Sequence, residues 1–72
     1  MDKREILKES ARAWINGQKN ELGRSPIEFY SGRIMMFHLI ESLGGDGEHL
    51  YEITPENILD YSASEIVEMF MD

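Results

Sequence analysis

Apolar positions recur with helical spacing along most of this chain. Ile6, Leu7, Ala11, Ala13 and Trp14 fall on one side of a helix, and Glu5, Lys8, Glu9, Arg12, Asn16 and Lys19 on the other. The spacing predicts a surface helix with one dry face over residues 2–21. Asp2 stands at the capping position, with Glu5 three residues on. Trp14, Gln18 and Leu22 stay aligned past Gly17, so Gly23 is the expected stop, and Lys19 and Arg24 suit the negative end of the helix dipole.

The strongest local start signal is Ser25-Pro26-Ile27-Glu28: a cap, a proline at the first helical position and a glutamate at the third. It opens a helix predicted over 26–43 and closed by Gly44-Gly45. The middle of that helix, Ile34 to Ile40, is apolar almost all round, as expected of the central helix of a domain. Phe29, Tyr30, Ile34, Met36, Phe37, Ile40 and Leu43 span a wide arc read as buried. Glu28, Ser31, Gly32, His38 and Ser42 form a narrow polar face, and Met35 and Leu39 land within it.

Further on, Gly44 to Gly47 reads as loop. Leu50-Tyr51-Glu52-Ile53 alternates like a strand, but a lone strand has no partner, so 44–54 is expected to be extended loop. Thr54-Pro55 opens a short helix over 55–61 with Ile58, Leu59 and Tyr61 inward. Ser62-Ala63-Ser64-Glu65 is a capping box for a last helix over 63–71, with Ile66, Val67 and Phe70 facing in and Met69 and Met71 flanking them. The fold class expected is all-α: one domain over 1–72, a small bundle of two longer and two short helices joined by connections short enough to make neighbours antiparallel.

Length sharpens this reading. A domain of 72 residues buries only about 60% of the surface its unfolded chain exposes, and with no cysteine no disulfide supplements the core. The lack of cysteine fits a reducing, cytoplasmic environment. No run of about twenty apolar residues exists to span a bilayer, and no apolar stretch follows the charged start to make a secretory signal.

Charge is sharply segregated. All seven Lys and Arg lie in residues 1–33, where five acids leave +2; the rest carries nine acids and no Lys or Arg, hence −9. A total of −7 disfavours direct nucleic-acid binding, because phosphate contacts need cations. It disfavours an anionic membrane surface for the same reason. A mildly basic first helix packed beside the acidic half would neutralise part of this field, but +2 does not cancel −9.

Motifs for chemistry are few. Ser25, Ser62 and Ser64 have capping or turn roles, and no nucleophile elbow, phosphate loop, zinc-protease or dinucleotide fingerprint occurs. No enzymatic activity and no cofactor are expected. Asp46, Glu48 and His49 invite a metal, but an EF-hand starting at Asp46 would place Leu50 at its fifth position and Asn57 at its twelfth, so the match fails. Helices at 55–61 and 63–71 resemble a helix-turn-helix in spacing, yet the second carries Glu65, Glu68 and Asp72 and no base, so phosphate would repel it. Trp14, Tyr30, Tyr51 and Tyr61 lack the cationic groove that stacking on single strands requires; Trp14 and Tyr30 are read as core.

What remains is a protein partner. Glu48, Glu52, Glu56 and Asp60 recur every four residues and are followed by Glu65, Glu68 and Asp72. Gathered on one face, these carboxylates would steer a basic protein, with Met35, Leu39 or Tyr51 as apolar anchor. The functional expectation is a small acidic protein-binding module, acting as inhibitor or regulator of a nucleic-acid-handling protein. The alternative is self-association through Met35 and Leu39 as a homodimer seam.

Overall fold

The computed structural model describes residues 2–20 and 26–70. The expected stop at Gly23 with Leu22 and Arg24, the Ser25 cap, Met71 and Asp72 lie outside them. Within the described residues the architecture is all-α, with no strand: α1 (Lys3–Asn20), α2 (Pro26–Ser42), two 3-10 helices η1 (Gly47–Glu52) and η2 (Ile58–Asp60), and α3 (Ala63–Phe70).

At the start of α1 the Arg4 N–H donates to Asp2 Oδ1 at 3.2 Å, satisfying a donor that the first helical turn leaves open. Gly17 does not interrupt the helix. Its buried stripe is Leu7, Ala11, Trp14, Ile15 and Gln18. Ala13, expected inward, is exposed, while Ile15 is buried. The stripe lies one position further round the helix than the apolar pattern suggested, because α1 packs against α2 on one flank and α3 and η2 on the other.

α2 ends one residue before the expected Leu43. The Gly45 N–H donates to the Ile40 carbonyl at 2.9 Å and the Gly44 N–H to the Glu41 carbonyl at 3.2 Å. Gly44 takes φ +89°, the left-handed conformation that closes a Schellman motif. Phe29, Met36 and Ile40 are buried. Tyr30 and Ile34, read as core, are instead 44% and 58% exposed. Among the described residues only η1 reaches their side of α2, through Tyr51 and the Arg33 guanidinium, and it leaves both side chains partly open.

Two segments depart from the expected pattern. Residues 47–52 form η1 rather than extended loop. Asp46 caps it by accepting from the Glu48 N–H at 3.0 Å, and the Ile53 N–H closes it on the Leu50 carbonyl. Gly47, Leu50 and Ile53 are all buried. Their three-residue spacing is the repeat of a 3-10 helix, whose side chains at i and i+3 eclipse. Each buried Leu or Ile stabilises by roughly 1.5–3 kcal/mol. The expected helix over 55–61 is only a turn followed by η2. Thr54 and Asn57 bond reciprocally, Thr54 N–H to Asn57 Oδ1 at 2.7 Å and Asn57 N–H to Thr54 Oγ1 at 3.3 Å. The Asn57 amide also donates to the Glu52 carbonyl. These local bonds compete with a continuing α-helical ladder.

The last helix follows its sequence signal. Ser62 N–H donates to Glu65 Oε1 at 2.9 Å and Glu65 N–H to Ser62 Oγ at 3.2 Å, a complete capping box. Ile66, Val67 and Phe70 are buried in the one apolar cluster that also joins Leu7, Ile15, Phe29, Ile40, Leu50 and Ile58. Where α1 meets α2, the Trp14 and Phe29 rings sit 5.3 Å apart, and Trp14 Nε1–H donates to the Phe29 carbonyl at 3.3 Å. Gly32 makes this approach possible. A Cβ there would stand 2.4 Å from Trp14 Cδ1.

Candidate functional site

The carboxylates of the second half are exposed, but they do not share a helix face. Glu48 and Glu52 lie on η1, Glu56 in the turn before η2, Asp60 at the end of η2, and Glu65 and Glu68 on α3. The four-residue repeat through Glu56 and Asp60 spans a turn and a 3-10 helix, so α-helical alignment does not apply to it. Several of these acids have local duties. Asp46 and Glu65 cap helices, Glu41 Oε2 accepts from the Gly47 N–H at 3.0 Å, and Glu52 accepts from His49 Nδ1 at 2.9 Å. That bond, ahead of the charges of Glu52, Asp46 and Glu48, raises the His49 pKa above its usual 6.5. Glu48, Glu56, Asp60 and Glu68 make no side-chain hydrogen bond or ion pair among the described residues. They contribute field rather than a shaped site.

Tyr51 has an intramolecular role as well as exposure. The Arg33 guanidinium lies 4.8 Å from the Tyr30 ring centre and 5.0 Å from that of Tyr51, tying η1 to α2. Exposed contacts of this kind contribute about 0.5–1 kcal/mol each. Beside it, Arg33, Ile34, Phe37, His38, Leu50 and Tyr51 line a depression of about 270 Å³.

The larger feature is a groove of about 940 Å³ between α1 and α2. Ser10, Ala13 and Gly17 form its α1 wall together with Trp14 and Gln18; Glu28, Ser31, Met35, His38, Leu39 and Ser42 form its α2 wall. Small side chains on α1 keep the groove open, since nothing tall projects from positions 10, 13 and 17. Met35 is 71% exposed, and Leu39 is half-buried against the core. Met35 and Leu39, singled out in sequence because they interrupt a polar face, therefore share one groove. Tyr51 lies on the depression across α2.

Gln18 is the feature that sequence reasoning passed over. It is only 2% exposed, and its Oε1 has no hydrogen-bond partner among the described residues. A signal was present, since Gln18 follows Trp14 by four residues on the dry side of α1 and is therefore a polar residue in an apolar stripe. α2 also leaves more apolar side chains outside than expected, with Ile27 76% and Met35 71% exposed in addition to Ile34. Among the described residues no three His, Asp or Glu side chains come together as a set able to hold a metal ion. No helix among them is long and apolar enough to cross a membrane. No protein-family model, no curated protein and no solved structure matches this chain.

Proposed function

We propose that this chain is a non-enzymatic protein-binding module that docks through the outward side of α2 and the groove it forms with α1. The observation that carries this reading is the exposure of Ile34 and Met35 on a helix whose opposite side already fills the core. Large apolar side chains left in water on a small domain point to an interaction site. Met35 is the anchor, with Leu39 beneath it. The net charge of −7 selects the partner. It steers basic proteins inward and repels nucleic acid and anionic membranes. A basic surface that handles nucleic acid is the kind such a module would cover, which makes inhibition or regulation its role, inside the cell. Here the acids act at long range, and α2 makes the contact.

Capture with immobilised wild-type chain and with Met35→Glu tests this. Wild type is expected to retain a basic protein at low salt and release it as ionic strength rises toward about 0.5 M, where screening shortens to a few ångströms. Met35→Glu is expected to lose it. Equal retention by both chains rules out docking through α2, and retention indifferent to salt removes the steering. A second copy of the chain is the other occupant that exposed Met35 favours, although two chains of −7 repel. Sedimentation equilibrium across concentrations separates the two, since a dimer dissociated by Met35→Glu would establish self-association.

A further inference from the structure

We propose that Arg33 and the depression beside it form a binding site for a small monocarboxylate with an apolar body. The site lies where η1 meets α2, and it stands or falls independently of the docking reading above. Its origin is local in sequence. Phe29 and Tyr30 precede Arg33 by four and three residues, the spacings that bring side chains together on a helix. The Arg33 guanidinium carbon lies 5.8 Å from the Phe29 ring centre and 4.8 Å from that of Tyr30, and η1 brings the Tyr51 ring centre to 5.0 Å. Three rings thus gather about one cation. Ring faces attract its charge, but they are not the oxygen acceptors that its five N–H donors pair with most strongly. Among the described residues no carboxylate or carbonyl accepts from this guanidinium, in a chain with 14 acids. Arg12, by contrast, holds Glu9 at 2.9 Å.

The lining names the ligand. A guanidinium fork matches a planar carboxylate through two parallel N–H···O bonds. Ile34, Phe37 and Leu50 stand beside it in the depression, so the carboxylate carries an apolar part that covers them. His38 supplies a second hydrogen-bonding group. The volume of about 270 Å³ falls below the roughly 300–1,000 Å³ of drug-sized sites, so the body is no larger than one ring on a short linker. Among the described residues the lining includes no acid. Exposed charges more than about 8 Å away are largely screened at physiological ionic strength. A monoanion is favoured over phosphate, because a second negative charge meets the same single Arg33 and doubles the repulsion from a chain of net charge −7. The ring contacts restrict the long Arg33 side chain before a ligand arrives, which lowers the ordering cost of binding.

The test titrates the isotope-labelled full chain with hydrocinnamate and follows the backbone amides and the Arg33 Nε–H by NMR. Saturable shifts are expected at Arg33, Phe37, Leu50 and Tyr51, with a Kd of about 1 mM for so small a ligand. Hydrocinnamyl alcohol has the body without the charge, and acetate the charge without the body. Each is expected to bind about tenfold more weakly. Arg33→Lys keeps the charge and loses the fork, so its affinity for hydrocinnamate should fall about tenfold while a dispersed spectrum shows the fold intact. N-acetylglycylphenylalanine separates two sources of the same chemistry. Binding tighter than hydrocinnamate, and lost on amidation of its carboxyl group, assigns the site to peptide C-termini; weaker binding assigns it to free small acids. Equal binding of the alcohol overturns the role of Arg33, and equal binding of acetate overturns that of the depression. Inorganic phosphate binding more tightly than hydrocinnamate overturns the preference for a monoanion. Shifts that do not saturate by about 20 mM overturn the site and leave Arg33 as a clamp between α2 and η1. The ligand series is read on wild type, so these outcomes do not depend on how the variant folds.

Discussion

His49 and Glu52 are a one-turn pair on an exposed 3-10 helix, 2.9 Å apart, and their chemistry is testable by pH. The hydrogen bond to Glu52, then the neighbouring carboxylates, raise the folded-state pKa of His49 above 6.5. A group whose pKa is higher folded than unfolded stabilises the fold below the unfolded value and ceases to do so as pH climbs through the folded one. Wild type should therefore hold a small stability advantage over Glu52→Gln at pH 6 that disappears by about pH 8. Urea unfolding at both pH values checks this, and the His49 ring resonances of Glu52→Gln should titrate closer to 6.5. An advantage that grows with pH would refute the pairing. At this scale the sequence was informative about capping and poor about exposure. Asp2, Thr54, Ser62 and Glu65 made the local bonds their spacing implied. Tyr30 and Ile34 did not go inside, because burial depends on what lies opposite a residue, and residue type alone carries no such information.

At the scale of elements, glycines in different conformations give opposite expectations. Gly44 has φ +89° at the end of α2, where a side chain strains the backbone. Gly17 sits in the interior of α1 with nothing within 4 Å of an added Cβ. Gly44→Ala should destabilise by about 1 kcal/mol, and Gly17→Ala should stabilise by about 0.5–1 kcal/mol through helix propensity. Chemical denaturation of both variants checks the pair, and like signs would mean that one of these conformations is misassigned. The long helices and α3 were legible from period and punctuation. Residues 47–52 were not, since in so short a stretch an i, i+3 repeat and a two-residue alternation share positions. Asp46 as cap and the packing of Leu50 and Ile53 under α2 and α3 decided the matter.

Across the whole molecule, charge sets the terms. The basic first helix does pack beside the acidic end of the chain, through α3 and η2. Arg12–Glu9 and His49–Glu52 are ion pairs within single elements, and the net charge stays at −7. Exposed pairs like these contribute ~0–1 kcal/mol. Repulsion among the remaining carboxylates is then the larger effect, and screening should relieve it. The urea midpoint is expected to rise between about 0.01 and 0.5 M NaCl, as the screening length falls from about 30 Å to a few ångströms. A fall would mean that attraction between the halves dominates.

The order of apolar and capping residues was enough to specify an all-α chain, the starts of its three α-helices and the stop at Gly44, because hydrogen bonds over three or four residues and a repeat near 3.6 act within a single element. The segregation of charge, and the oddity of Met35 and Leu39, were visible for the same reason. Only the tertiary arrangement decided which carboxylates stand together, that Tyr30 and Ile34 face outward, and that Gln18 lies buried with an unused acceptor beside an open groove. Those properties belong to pairs of elements. They depend on which faces meet, and a chain that closes its core on one side of α2 leaves the other side for something else to cover.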